Sequence, residues 1–170
     1  MINNIGFFDQ FFNNDKKNIV GITGNCGSGK TYLSNALLSR LDVNVYSTDY
    51  RFIGKTKERS EILKRKSKNI DDYIDYANQL SWWNWDLIEK EIRGIYRKEF
   101  KVISGLYNRD TGENNWNVIF KDSNNLIVEG AILSDMTMTF CDKIIYLYVD
   151  EEIRFNRLLE KDKSRRTFKE

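Results

Sequence analysis

Residues 18–31 read Asn-Ile-Val-Gly-Ile-Thr-Gly-Asn-Cys-Gly-Ser-Gly-Lys-Thr, and the fold is decided here. The first six, 18–23, are a short apolar, β-branched run of the kind a buried strand requires. Gly24, Asn25, Cys26, Gly27, Ser28, Gly29, Lys30 and Thr31 then satisfy the spacing G-x-x-x-x-G-K-[ST]. A helix is predicted from Lys30 to Leu41, with Leu33, Leu37, Leu38 and Leu41 at helical spacing. Glycines so spaced let successive backbone N–H groups wrap a phosphate, and the helix start adds its partial positive charge. A lysine at position 30 reaches the β- and γ-phosphates, and a hydroxyl at position 31 ligates Mg²⁺. The loop predicts a nucleoside triphosphate and is silent about what is done with it.

Outward from the loop, strand and helix alternate. Val43–Ser47 reads as a second strand ending at Thr48-Asp49, Leu126-Ile-Val-Glu as a third, and Lys143–Val149 as a fourth. Residues 71–99 read as helical with a break near Ser81, Lys101–Tyr107 as a short strand before a polar turn, and Glu151–Lys163 as a charged amphipathic helix. This order predicts an α/β fold with a mainly parallel sheet, flanking helices and a short lid. At 170 residues the chain reads as a single domain: a leader over 1–17 carrying Ile5, Phe7, Phe8, Phe11 and Phe12, the body, and a lid region at 150–170.

In an open α/β sheet ligands gather at the carboxyl ends of the strands, where Asp49 and Glu129 stand. Phosphoryl transfer needs alignment, charge neutralisation and a group to take the acceptor proton. Asp49 is the expected base toward an acceptor hydroxyl, and Glu129 the expected second holder of Mg²⁺ beside Thr31. Arg154, Arg157 and Lys161 share one helical face, followed by Arg165 and Arg166. Beside a phosphate site that face reads as a lid supplying positive charge in the transition state.

Composition narrows the chemistry. The chain has no histidine, which excludes Ser-His-Asp triads, Cys-His nucleophiles and His-ligated zinc. A net charge of +2 is too small to predict nucleic-acid binding. There is no signal-peptide pattern and no apolar run that would span a membrane, so a reduced cytoplasmic location is expected, with Cys26 and Cys141 as free thiols. Residues 51–68 hold eight Lys or Arg against two Glu: a solvated helical face, or a surface that meets an anionic ligand.

The loop, Thr48-Asp49, Trp85-Asp-Leu-Ile, Tyr107-Asn-Arg-Asp-Thr-Gly-Glu, Ile127-Val-Glu-Gly and the basic helix stand in an order that resembles the uridine/cytidine kinase and phosphoribulokinase branch of the P-loop kinases, over roughly residues 18–166. The resemblance implies ATP as donor, Asp49 as base on a ribose hydroxyl, Glu129 as an aid to magnesium, Tyr107 against the acceptor, and Arg154 and Arg157 on phosphates or the acceptor. Trp85, with Tyr107, offers a flat surface suited to a base, and Arg51 of the basic run and Asn78 are expected on the substrate side with Asp49 and Glu129. Family members often carry Asp-His-Pro before the Trp-Asp-Leu segment; here the stretch is Asn78-Gln79-Leu80, and the familiar Tyr-Asp is Tyr107-Asn108. These departures argue for an acceptor other than free uridine: a ribose hydroxyl of a pyrimidine nucleotide or a nucleotide-linked metabolite, such as a cytidine diphosphate conjugate. An adenylylsulfate-kinase-like 3′-hydroxyl kinase, uridine/cytidine kinase proper and a nucleotide-dependent regulatory module are the alternatives. The family continues for another strand and helix after the lid, so a missing final strand and self-association through the sheet edge are also expected.

Overall fold

The computed structural model describes residues 5–12, 16–54, 56–77, 80–108, 111–131, 139 and 141–163. The apolar run forms β1 (Asn18–Thr23), and the motif leads from it into α1 (Lys30–Leu38). Then come β2 (Asn44–Ser47), a 3-10 turn (Thr48–Arg51), α2 (Thr56–Lys66), α3 (Ile70–Ala77), a second 3-10 turn (Leu80–Trp82) and α4 (Trp85–Tyr96). The remaining elements are β3 (Val102–Leu106), β4 (Trp116–Ile119), β5 (Asn125–Glu129), β6 (Lys143–Tyr146) and α5 (Glu151–Lys163). The helical reading of 71–99 holds, with its break at the second 3-10 turn.

Four strands make one sheet in the order β2-β5-β1-β6, and every pairing in it is parallel. All five residues of β5 are buried, as a parallel strand covered on both faces demands. Side chains alternate across it. Leu126 and Val128 join Ile19 and Tyr46 in a core completed by Ile88, Ile92 and Ile95 of α4. Ile127 points the other way, into Ile22, Leu33, Leu37 and Val43, where Ile5, Phe8 and Phe12 of the leader also dock. Phe7 stays exposed, and Arg40 ties the leader down through Asp9 at 2.9 Å.

Two expectations are corrected, and one pairing is new. α1 stops at Leu38 rather than Leu41 because the backbone tightens there, Arg40 and Leu41 both donating to the Leu37 carbonyl. β6 stops at Tyr146 rather than Val149: its partner β1 ends at Thr23, and Leu147 makes the last backbone bond to it. β3 does not enter the main sheet but pairs antiparallel with β4, a strand unread in the sequence because its residues are mostly exposed. That hairpin docks beside the turn after β2, the Tyr107 N–H donating to the Tyr50 carbonyl at 2.9 Å.

α4 is capped by the Asn84 side chain, which accepts from the Leu87 N–H. At its other end Lys98 is left-handed, with φ 65°, and folds the chain back so that the Phe100 ring covers Gly94. A Cβ on Gly94 would meet that ring at 2.3 Å. Helix propensity favours Gly94→Ala by about 1 kcal/mol, whereas overpacking costs about 1–3 kcal/mol. The clash is with ring atoms packed against the core, so it wins: Gly94→Ala is expected to lower stability in urea denaturation, and an unchanged or raised midpoint would contradict this packing.

Candidate active site

The loop is shaped by what crosses it. Gly24 and Gly27 have φ of 143° and 80°. A Cβ at Gly24 would lie 2.4 Å from the Leu147 carbonyl oxygen, and one at Gly27 would lie 2.8 Å from the Arg154 carbonyl oxygen. Glycine is therefore required on steric as well as conformational grounds, because residues 147–154 pass backbone against backbone. Lys30 Nζ donates to the carbonyls of Gly24 at 2.8 Å and Asn25 at 3.1 Å, which holds the ammonium inside the curve of the loop. The Ser28 hydroxyl is buried with no hydrogen-bond partner among the described residues, a donor suited to a phosphate oxygen.

Parallel register brings the acids to the same edge. Glu129, at the end of β5, is level with Ser47 of β2 on one side and Ile22 of β1 on the other. Thr31 Oγ1 lies 3.2 and 3.3 Å from its carboxylate oxygens, and the Ser47 hydroxyl also bonds to it. Asp49 follows on the 3-10 turn, close enough for its charge to act on Glu129. Burial, reinforced by Asp49, pushes the Glu129 carboxyl above its ordinary range; the Thr31 and Ser47 hydroxyls and Lys30 pull against that rise. Burial, with Glu129 nearby, likewise raises the Tyr50 phenol. Lys30, Thr31, Ser47, Asp49 and Glu129 thus meet at one place. The set facing Thr31 is all hydroxyl and carboxylate oxygen, the donor chemistry Mg²⁺ takes, so the residues present fit the ion.

The turn carrying Asp49 is braced from behind. Arg51 Nε donates to Glu91 Oε2 at 2.8 Å and its Nη2 to Oε1, while the Tyr46 hydroxyl donates to Oε2 at 2.7 Å. Arg51 also reaches the carbonyls of Gly105 at 3.0 Å and Ser104 at 3.3 Å. Arg51, expected on the acceptor, therefore has its guanidinium occupied in joining the turn, α4 and β3. Glu91, absent from the sequence reading, is its buried partner. The signal was available: Glu91 interrupts the Ile88, Ile92, Ile95 stripe, and an acid on an apolar face needs a partner.

Of the residues expected at the acceptor, Tyr107 is buried edge-on to Phe52 at 5.6 Å. Trp85 stacks on Trp83 at 5.8 Å and donates through Nε1 to the Leu80 carbonyl. Asn78 lies outside the described residues. Arg154 and Arg157 both turn toward the loop, donating to the carbonyls of Cys26 at 3.4 Å and Gly27 at 3.2 Å. Cys26 is exposed on the loop; Cys141 is half-buried, its thiol pushed up to about 11 by burial and by Asp142.

The sheet, the loop at its edge and the paired acids together define a P-loop kinase fold, similar to that of uridine kinases. Residues 20–170 match the family described as AAA domain, and the chain belongs to it. A dephospho-CoA kinase from Fusobacterium nucleatum is 24% identical over 162 residues, covering 89% of this chain and 77% of that protein. A uridine kinase from Staphylococcus haemolyticus is 28% identical over 155 residues, covering 87% of this chain and 70% of its own. Among solved structures, a possible uridine kinase from Bacillus stearothermophilus superposes with a TM-score of 0.60 at 17% identity, covering 95% of this chain and 91% of that one. No described helix is long and apolar enough to cross a membrane.

Because the folded state holds the Glu129 proton more tightly than the unfolded chain does, its contribution is most favourable at low pH. It is lost as pH rises from the ordinary carboxyl range through the raised folded value. Glu129→Gln keeps the shape and removes the buried charge. It is expected to raise the melting temperature by a few degrees at pH 7.5, with the gain shrinking toward pH 4.5. A gain independent of pH, or a loss at pH 7.5, would place the charge elsewhere.

Proposed function

We propose that the chain transfers the γ-phosphate of ATP to a hydroxyl of a nucleoside- or nucleotide-type acceptor, specifically a ribose hydroxyl of a pyrimidine nucleotide or nucleotide-linked metabolite. The observation that carries this reading is the meeting of Asp49 and Glu129 with Lys30 and Thr31 at the mouth of the loop. A nucleotide switch needs the loop and a magnesium holder; a second acid beside them, on a braced turn, suits an acceptor kinase. The similarity to a dephospho-CoA kinase and to uridine kinases supports the same class.

In this reading the acceptor oxygen attacks the γ-phosphorus, a new O–P bond forms as the bond to the β-phosphate oxygen breaks, and ADP leaves. Asp49 takes the proton of the attacking hydroxyl. Lys30 follows the charge that develops on the transferring and leaving oxygens. Thr31 and Glu129 are the residues that would hold Mg²⁺, whose chemistry is to neutralise phosphate charge. Trp85, half-buried, keeps aromatic surface open to a base, whereas the Tyr107 ring is buried against Phe52 with Arg59 over it and bounds the acceptor side from below. Arg154 and Arg157, on the helix already packed against the loop, suit a lid reading; Arg165 and Arg166 lie outside the described residues. The cytoplasm, where ATP is plentiful, is the compartment this activity implies.

Asp49→Asn should cut ADP release by about 10²–10⁴ with ATP binding retained, whereas Lys30→Ala should weaken ATP binding as well. The decisive measurement is Mg²⁺-dependent ADP release screened against nucleosides, nucleotides, nucleotide diphosphate conjugates and adenylylsulfate. Saturation by one of them, lost in Asp49→Asn, supports the kinase. A rate no acceptor raises, with a protein partner whose binding follows the nucleotide, would instead make the chain a regulatory module.

Self-association has its candidate surface at the edge strand β6 and the residues after it, where Ile144, Tyr146 and Tyr148 are exposed. Sedimentation velocity at micromolar concentration is expected to show a dimer; a single-chain mass throughout removes it.

A further inference from the structure

Glu91 sits beside Ile88 and Ile92 on the buried stripe of α4, where a leucine would pack, and it is itself buried. A buried ion pair is a weak stabiliser, because desolvation offsets most of the attraction and apolar groups of similar volume often serve stability as well or better. What this pair supplies is direction. Glu91 accepts from the Tyr46 hydroxyl at 2.7 Å and from Arg51 Nε at 2.8 Å, and Arg51 Nη2 closes the fork on its other oxygen. Nη1 and Nη2 also donate to the carbonyls of Gly105 at 3.0 Å and Ser104 at 3.3 Å, so four of the five guanidinium N–H groups are engaged. Other members of the basic run are directed elsewhere: Arg59 lies over the Phe52 and Tyr107 rings, and Lys57 and Lys64 line an open cavity between α2 and the turn after β3.

The receiving end on β3 is irregular. Ile103 pairs with Val118 but Leu106 with Trp116, so three steps along β3 oppose two along β4. Exposure follows the slip. Ile103 and Leu106 are buried with both Ser104 and Gly105 exposed between them, where strict alternation would bury every second residue. Gly105 is left-handed at φ 67°, and a Cβ there would meet nothing within 4 Å, so glycine serves the backbone conformation rather than the space. A bulge adds one residue and re-aims what lies beside it. Here it presents two successive carbonyls to Arg51 and returns Leu106 to the core, one residue before Tyr107. The turn carrying Asp49 is tied twice more through the backbone: the Tyr107 N–H donates to the Tyr50 carbonyl at 2.9 Å, and the Asn84 N–H to the Arg51 carbonyl at 3.0 Å.

We propose that Glu91, acting through Arg51, is a positioning residue for phosphoryl transfer: it locks the turn that carries Asp49 to the bulge of β3, so that the base and the wall ending in Tyr107 keep one spacing. The inference rests on the reading of Asp49 as the base and of Tyr107 as the bound of the acceptor side. Glu91 touches no reacting group. Its effect falls on transfer rather than on ATP binding, because the phosphate loop hangs between β1 and α1, which none of these bonds reaches. Reacting groups misplaced by about 1 Å lose about 10²-fold in rate, so a small loosening of the turn is enough.

The test uses the full chain carrying Tyr46→Phe/Arg51→Met/Glu91→Leu, which replaces the network by apolar groups and strands neither a charge nor a hydroxyl. This variant is expected to melt at or above the temperature of the unsubstituted chain. It should bind adenosine 5′-(β,γ-imido)triphosphate with Mg²⁺ within about twofold of the original, while kcat with the acceptor that saturates the ADP-release screen falls by about 10²-fold at an unchanged KM for ATP. Amide exchange should rise by about tenfold or more over 47–52 and 103–108 and stay level over 24–38. Gly105→Ala should move exchange and kcat in the same direction by less. A triple variant that melts far lower with exchange raised everywhere makes the network structural and overturns the inference. So does a folded variant with unchanged kcat, or with unchanged exchange over 47–52 and 103–108. If no acceptor raises turnover, the transfer reading has failed and this inference falls with it. Asp49→Asn separates the two. Normal turnover there beside a slow triple variant removes the base and keeps the positioning of the acceptor wall; an inactive Asp49→Asn beside a triple variant of normal kcat does the reverse.

Discussion

Everything at the site depends on one strand being buried on both faces. β5 has no exposed position, and its partners β1 and β2 are both parallel to it. Parallel pairing aligns carboxyl ends, so the loop after β1, the turn after β2 and Glu129 arrive at the same edge without any side chain having to reach far. The burial that makes this register firm also makes Glu129 costly, since a carboxylate leaves water there beside Asp49. Thr31, Ser47 and Lys30 offset part of that cost, and a divalent cation would offset more. The strand that organises the fold is thus also the source of the electrostatic tension at the site.

Around that strand the supporting contacts fall into two kinds. Over the loop the contact is backbone on backbone: residues 147–154 come so close to Gly24 and Gly27 that a single methyl group would not fit. Under the turn it is charge in a buried setting. Glu91 collects Arg51 and Tyr46, and Arg51 extends to the carbonyls of β3. The first keeps the phosphate cradle narrow. The second holds Asp49 at a set height above the sheet, together with Tyr50, which packs edge-on against Tyr46. Neither contact is made by Lys30, Thr31, Asp49 or Glu129, yet both constrain where the reacting atoms could sit.

The chain's own sequence carried most of the sheet and the loop, and it carried them for local reasons. Apolar β-branched runs of four to six residues, a fixed glycine spacing and leucines at helical intervals are properties of neighbours in sequence. The same locality marks where the sequence is silent. β4, an exposed hairpin strand, has no buried face to leave a periodic trace. The pairing of β3 with β4 outside the main sheet is a tertiary choice that no local pattern encodes. The apolar run of β6 continues past the point where β1 stops offering hydrogen bonds, so the sequence predicts a longer strand than forms.

By itself, then, the sequence determined the phosphate loop, the parallel α/β plan and the exclusion of imidazole chemistry, because each follows from residue type and short spacing. Only the tertiary structure decided that Asp49 and Glu129 act on one another across 80 residues of chain, which register alone can bring about. It also decided what the basic run does. Helical direction sends Arg51 inward to Glu91, Arg59 onto two aromatic rings and Lys57 with Lys64 into a cavity. Charge can be counted along a chain, but which side of a helix faces which neighbour is settled only by packing.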